Sequence, residues 1–146
     1  RRGEAGKQPA PAFKLPLVTG GEFDLAKTAG KVVVLDFWAT WCGPCRAEIP
    51  SFIILYSRYK AKGVEIIGID AFERGDAKKI LLDFIKKSGI NYPIVIGNDE
   101  VVQKYGGITG IPTTFFIDRK GIIRDKIIGS HPQADLEERI VKLLKP

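Results

Sequence analysis

Blocks of apolar residues change period along this chain, and glycines and prolines mark the changes. Val32 to Trp38 is β-branched and almost continuously apolar, as a strand buried on both faces would be. It holds one acid, Asp36. Beyond it, Cys45, Ile49, Phe52, Ile53 and Tyr56 recur at the spacing of one helix face. Pro50 inside that pattern predicts a lost hydrogen bond and a kink. Gly63 closes the helix, and Val64 to Asp70 reads as a second buried strand. Asp76 can cap a helix carrying Ala77, Ile80, Leu81, Phe84 and Ile85 on one face, ended by Gly89.

The flanks are simpler. Phe13–Leu17 and Glu22–Leu25 surround Thr19-Gly20-Gly21, a hairpin pattern. Pro93 to Ile96 predicts a short strand and Asp99 to Tyr105 a short helix. Thr113–Asp118 and Gly121–Gly129 predict two strands around Arg119-Lys120-Gly121. A last helix starts near Ser130-His131-Pro132, with Pro132 suited to its first turn and Leu136, Ile140, Leu143 and Leu144 facing inward. Strands alternating with helices predict an α/β fold, a central sheet covered on both faces. Residues 1–12 have no apolar period and read as a tail or linker, leaving 13–146 as one domain.

Composition narrows the function. The 146 residues are 45% hydrophobic and 27% charged, which fits a globular domain and excludes wholesale disorder. No apolar run approaches the ~18 residues of a membrane span. The net charge of +6 is spread along the chain, without the dense basic stripe of a nucleic-acid reader. The first residues lack the apolar segment of a signal peptide, so the protein is expected either to be cytoplasmic or to have lost an export signal or anchor ahead of Arg1.

The two cysteines stand three residues apart in Cys42-Gly43-Pro44-Cys45. Two cannot staple a disulfide scaffold, and with a single histidine they cannot complete an ordinary four-ligand zinc site. The count points toward redox chemistry; the alternatives for the motif are a pair of buried, inert thiols or half of an intermolecular zinc site. The motif falls between a buried strand and a helix, where the first backbone N–H groups lack internal partners and carry partial positive charge. An exposed Cys42 at that point is expected to favour the thiolate, with Cys45 one turn away and within bridging distance. Lowering a thiol pKa from ~8.5 to ~7 raises the thiolate fraction roughly fifteen-fold, and reduced nucleophilicity takes back about five-fold. Proximity of the second thiol is therefore the larger effect. Pro44 suits an early helical position, and Gly43 puts no side chain in the path of an incoming disulfide. Asp36 is a candidate proton acceptor for Cys45, unless it turns to solvent at the strand end.

Val33-Val34-Leu35-Asp36-Phe37-Trp38-Ala39-Thr40-Trp41-Cys42-Gly43-Pro44-Cys45 resembles the active-site segment of thioredoxins, and Gly110-Ile111-Pro112-Thr113-Thr114-Phe115-Phe116-Ile117-Asp118 resembles their second signature. Pro11-Ala12-Phe13 with the hairpin, Ala47-Glu48-Ile49-Pro50, and the added helix and strand at about 76–96 resemble the TlpA/ResA branch of thiol-disulfide oxidoreductases. The likeness covers roughly residues 11–145. It implies a thioredoxin-like three-layer fold with a central mixed sheet, an N-terminal β-hairpin and a helix–strand insertion. It implies Cys42 as the attacking thiol, Cys45 as the resolving one, and Pro112 as a cis-proline beside them, where Ile111 offers backbone groups to a bound peptide. Without the resemblance, Pro112 would simply start an edge strand. Asp36 aligns with the buried acid of thioredoxins. The lysine they place near it is unmatched, with Ile66 or Ile67 on the corresponding strand.

The resemblance further implies that Glu48 tunes the cysteines; the plain alternative is an exposed helix glutamate. Trp41 would form part of an apolar docking rim, Trp38 a packed wall, and His131 a surface or capping residue, while Glu73 is a candidate to approach the site. The function implied is reduction of protein disulfides outside the cytoplasm, in cytochrome c maturation for many members. It needs no dissociable cofactor beyond the redox-active disulfide, but it does need an upstream thiol reductant such as a membrane electron-transfer protein. The alternatives are a general cytoplasmic thioredoxin, a peroxidase (disfavoured by Ala39 three residues before Cys42) and a non-catalytic binding module.

Overall fold

The computed structural model describes residues 8–146. The elements in chain order are β1 (Gln8–Pro9), β2 (Lys14–Pro16), β3 (Glu22–Asp24), β4 (Val32–Phe37), α1 (Gly43–Tyr59), β5 (Val64–Asp70), α2 (Ala77–Ser88), β6 (Ile94–Ile96), α3 (Asp99–Lys104), β7 (Thr113–Ile117), β8 (Ile122–Ile128) and α4 (Gln133–Leu144). Six strands form one mixed sheet in the order β1-β8-β7-β4-β5-β6. β4 is parallel to β5 and antiparallel to β7. The hairpin β2–β3 is a separate two-stranded sheet.

Alternation along β4 sorts the core into two layers. Val32, Val34 and Trp38 point to one face, where they meet Phe52 of α1, Leu81 of α2 and Leu136 of α4. Val33, Leu35 and Phe37 point to the other, against Phe13, Leu15 and Val101. A residue of β4 sharing the parity of Val34 therefore lies under α1, which places Asp36 there. This is the thioredoxin-like arrangement of helices over both faces of a mixed sheet.

Three expectations change. Residues 8–12 are not a free tail: Gln8–Pro9 pairs with β8, Ala10 N–H donates to Gly121 O, and the Tyr105 hydroxyl donates to Pro11 O at 2.7 Å. Backbone bonding fixes this segment, and such bonding leaves no apolar pattern to read. The start of the expected tail, 1–7, lies outside the described residues. On α1 the buried stripe is Cys45, Glu48, Ile49, Phe52, Leu55, Tyr56 and Tyr59, with Ile53 at its margin. Pro132 caps α4 instead of sitting in its first turn.

Candidate active site

Cys42 is the N-cap of α1 and Pro44 lies in its first turn. Cys42 and Cys45 form a disulfide with Cα atoms 5.3 Å apart, inside the roughly 4.4–6.8 Å that a bridge allows. The Cys42 sulfur accepts the otherwise unpartnered N–H of Cys45 at 3.2 Å. A helix start thus aims a donor and partial positive charge at this sulfur.

The sulfur is less open than the sequence predicts. Cys42 is 5% exposed and Cys45 1%. The cause is the segment before β7, whose Ile111 O lies 3.7 Å from Cys42 Sγ. The Ile111–Pro112 bond is cis. β7 lies inside the sheet, between β8 and β4, so Pro112 does not begin an edge strand. Around the disulfide Trp41 is 46% exposed and Gly43 and Pro44 are exposed; a Cβ added at Gly43 would meet nothing within 4 Å.

Two acids lie on the same side of the sheet as the disulfide. Asp36 is buried, opposite Gly68 on β5 and Thr114 on β7. Its position in the sheet rules out the solvent-facing reading. Desolvation raises its pKa well above the usual carboxylate range, the charge of Glu48 adds to this, and the Thr114 side chain works against it. Asp36 Oδ1 and Thr114 Oγ1 nevertheless lack a partner in hydrogen-bond geometry. Gly68, not Ile66 or Ile67, stands directly across from Asp36, and a Cβ there would fall 2.8 Å from Trp38 Nε1. Trp38 is a packed wall, as expected.

Glu48 is buried, not an exposed helix glutamate. Its Oε2 accepts the backbone N–H of His131 at 2.8 Å, while Oε1 has no partner. Burial raises its pKa, and the His131 N–H and ring partly offset the rise. His131 is half-buried one residue ahead of the α4 N-cap, and its Nδ1 lies 2.7 Å from Asp135 Oδ2.

Glu73 reaches the segment preceding the cysteines. Its carboxylate accepts the Thr40 N–H at 2.7 Å and the Thr40 hydroxyl at 2.8 Å. Beside it lies Asp70, buried at the end of β5, whose pKa is pushed up to about 8 by burial and by Glu73. Burial alone would raise Glu73 too, but the bonds from Asp70 and Thr40 outweigh it and hold Glu73 below its usual value. Asp70 Oδ2 has no hydrogen-bond partner among the described residues, and Asp70 is the member of the pair that keeps its proton to the higher pH. Asp70 and Tyr92 were not singled out in the sequence. Tyr92 packs edge-on against Phe52, and its pKa is raised by burial and by the charges of Asp36 and Glu48. Asp70 carries the same signal as Asp36, an acid in an apolar strand; Tyr92 carries none.

A model of the AhpC/TSA family matches residues 7–126. The chain belongs to the AhpC/TSA family. Within it, the chain is 39% identical over 140 residues to the thiol-disulfide oxidoreductase ResA of Bacillus thuringiensis subsp. konkukian, covering 96% of this chain and 79% of that protein. To ResA of Bacillus subtilis it is 33% identical, with 94% and 74% covered. The crystal structure of a thiol:disulfide interchange protein of the thioredoxin family from Chlorobium tepidum superposes with a TM-score of 0.88 at 33% identity, covering 95% and 97% of the two chains. This AhpC/TSA member is a thioredoxin-like thiol-disulfide oxidoreductase of the ResA type.

Proposed function

We propose that the Cys42–Cys45 dithiol reduces disulfides in proteins outside the cytoplasm, including the cysteine pairs of apocytochromes c before haem attachment. The observation that carries this reading is the Cys42 sulfur, set at the start of α1 and against the Ile111–Pro112 segment. The relatives named thiol-disulfide oxidoreductase ResA support the reaction, and the resemblance to the TlpA/ResA branch implies the compartment and the substrate class.

In the reduced protein the Cys42 thiolate attacks one sulfur of a substrate disulfide. The Cys42–substrate bond forms as the substrate S–S bond breaks, and one substrate thiolate leaves and takes up a proton. Cys45 gives its proton to the carboxylate layer of Asp36 and Glu48, and its thiolate attacks Cys42 Sγ. The second substrate thiolate departs, leaving Cys42–Cys45 oxidised and the substrate reduced by two electrons. An external dithiol, such as that of a membrane electron-transfer protein, returns the electrons by the reverse exchange. No dissociable cofactor takes part. Trp41, Gly43, Pro44 and Ile111 form the surface on which the substrate lies, with the expected contact Pro112 buried behind Ile111.

Insulin reduction with dithiothreitol as donor tests the activity. The wild type is expected to accelerate precipitation, and Cys42→Ser to abolish the effect. Expressing Cys45→Ser outside the cytoplasm of a cytochrome-c-producing bacterium tests the substrate. Apocytochrome or haem-handling proteins trapped on Cys42 support the reading; a broad set of unrelated proteins contradicts it.

A further inference from the structure

The surface beside the disulfide carries features that thiol exchange alone does not require. Trp41 is 46% exposed, and its Nε1–H donates to Phe72 O at 2.9 Å, which fixes the ring. The guanidinium of Arg74 lies over that ring, 4.7 Å from its centroid. Arg74 is exposed and makes no salt bridge among the described residues. Arg46, one turn into α1 from Cys42, is exposed and equally without an ion pair among them.

Nearby acids are committed elsewhere. Glu73 is held by the Thr40 N–H and hydroxyl, Asp76 accepts the Lys79 N–H at the start of α2, and Glu48 is buried. The side of the site at Trp41 is therefore a fixed aromatic ring under a cation, Arg74, that no carboxylate among the described residues pairs with. Such an arrangement suits an anion brought by a partner.

We propose that this protein selects disulfides with an acidic side chain beside the cysteine, and that Arg74, stacked on Trp41, is the specificity-determining residue that receives the carboxylate. The inference rests on the reading of the dithiol as a reductase of protein disulfides. Contact with the Trp41 ring restrains the guanidinium, so less side-chain entropy is lost on binding, and its N–H groups have no hydrogen-bond partner among the described residues to give up for a carboxylate. There is also a kinetic reason. An acid beside a disulfide repels an attacking thiolate and disfavours the leaving one. Positive charge at the mouth offsets both, so such substrates gain most from this enzyme relative to a free thiol.

The test uses three peptide disulfides that differ only at the residue beside the cysteine: Asp, Asn or Lys. Values of kcat/KM are measured for the wild type, Arg74→Lys and Arg74→Glu, at low and at physiological salt. For the wild type the Asp peptide is expected to exceed the Lys peptide by roughly three- to ten-fold, with the ratio shrinking as salt rises. Arg74→Lys keeps part of the ratio, because the charge stays but the planar fork is lost. Arg74→Glu brings the ratio to one or inverts it. Using ratios within one variant removes any change in its overall activity. Equal rates on the three peptides, or a ratio unchanged in Arg74→Glu, overturn the selectivity alone. Failure of the wild type to reduce any of them overturns the reductase reading together with it.

Discussion

The backbone N–H of His131 donates to Glu48 Oε2 at 2.8 Å, tying the start of α4 to α1 one turn beyond the disulfide. A buried carboxyl thus satisfies a donor just ahead of a helix, and in the proposed mechanism it also helps to take the proton of Cys45. The two roles separate by substitution. Glu48→Ala leaves the His131 N–H without its acceptor and is expected to cost about 1–3 kcal/mol in urea unfolding. Glu48→Gln retains an acceptor and is expected to stay close to the wild type in stability, while slowing release of the trapped substrate at neutral pH.

Asp36 makes stability depend on pH. Its folded pKa lies well above the ordinary 3.8, so over the interval between the two values the folded protein holds a proton that the unfolded chain does not. Stability therefore falls as pH rises through that interval and levels off above the folded value. Asp36→Asn removes the titration. Its advantage over the wild type is expected to grow with pH and to reach about 1–3 kcal/mol at alkaline pH, measured by urea unfolding of the oxidised form.

The Asp70–Glu73 pair produces a separate signal. Raising the pH through about 8 removes the proton from Asp70, at the end of β5, and leaves it charged together with Glu73 of the 71–75 loop. That loop supplies the acceptor for Trp41 Nε1–H. Tryptophan fluorescence is expected to change with a midpoint near that pH, and stability to fall between the ordinary 3.8 and about 8 and to level off above it. Asp70→Asn is expected to flatten both.

Two glycines are expected to respond in opposite ways. A Cβ at Gly68 would lie 2.7 Å from Ile94 Cδ1 and 2.8 Å from Trp38 Nε1. Gly68→Ala is therefore expected to cost about 1–3 kcal/mol, read by thermal unfolding. A Cβ at Gly43 meets nothing, so Gly43→Ala is expected to leave stability within about 1 kcal/mol of the wild type. Its effect is instead expected as a rise in KM for protein disulfides.

What could be read from the chain follows from where the information resides. β4 and β5 are legible because both their faces are buried, which demands continuous apolar residues. The disulfide and the cis Ile111–Pro112 bond are legible because short motifs carry them. β1 is not, since Gln8–Pro9 joins the sheet through backbone groups on an edge. The burial of Glu48 is hidden because its partner is a main-chain N–H 83 residues away, which no side-chain pattern records. The grip of Glu73 on Thr40 spans 33 residues and is equally silent. The partial covering of Cys42 follows from the docking of the Ile111 segment, and neither stretch alone reports that contact.

The proposed exchange depends above all on which sulfur attacks. Reduced Cys45→Ser and reduced Cys42→Ser can each be mixed with a model peptide disulfide, digested and mapped by mass spectrometry. The account predicts a persistent peptide adduct on Cys42 of Cys45→Ser and little or none on Cys45 of Cys42→Ser, whose side chain is 1% exposed in the oxidised protein. Equal adducts on both sulfurs, or an adduct on Cys45 alone, would contradict it.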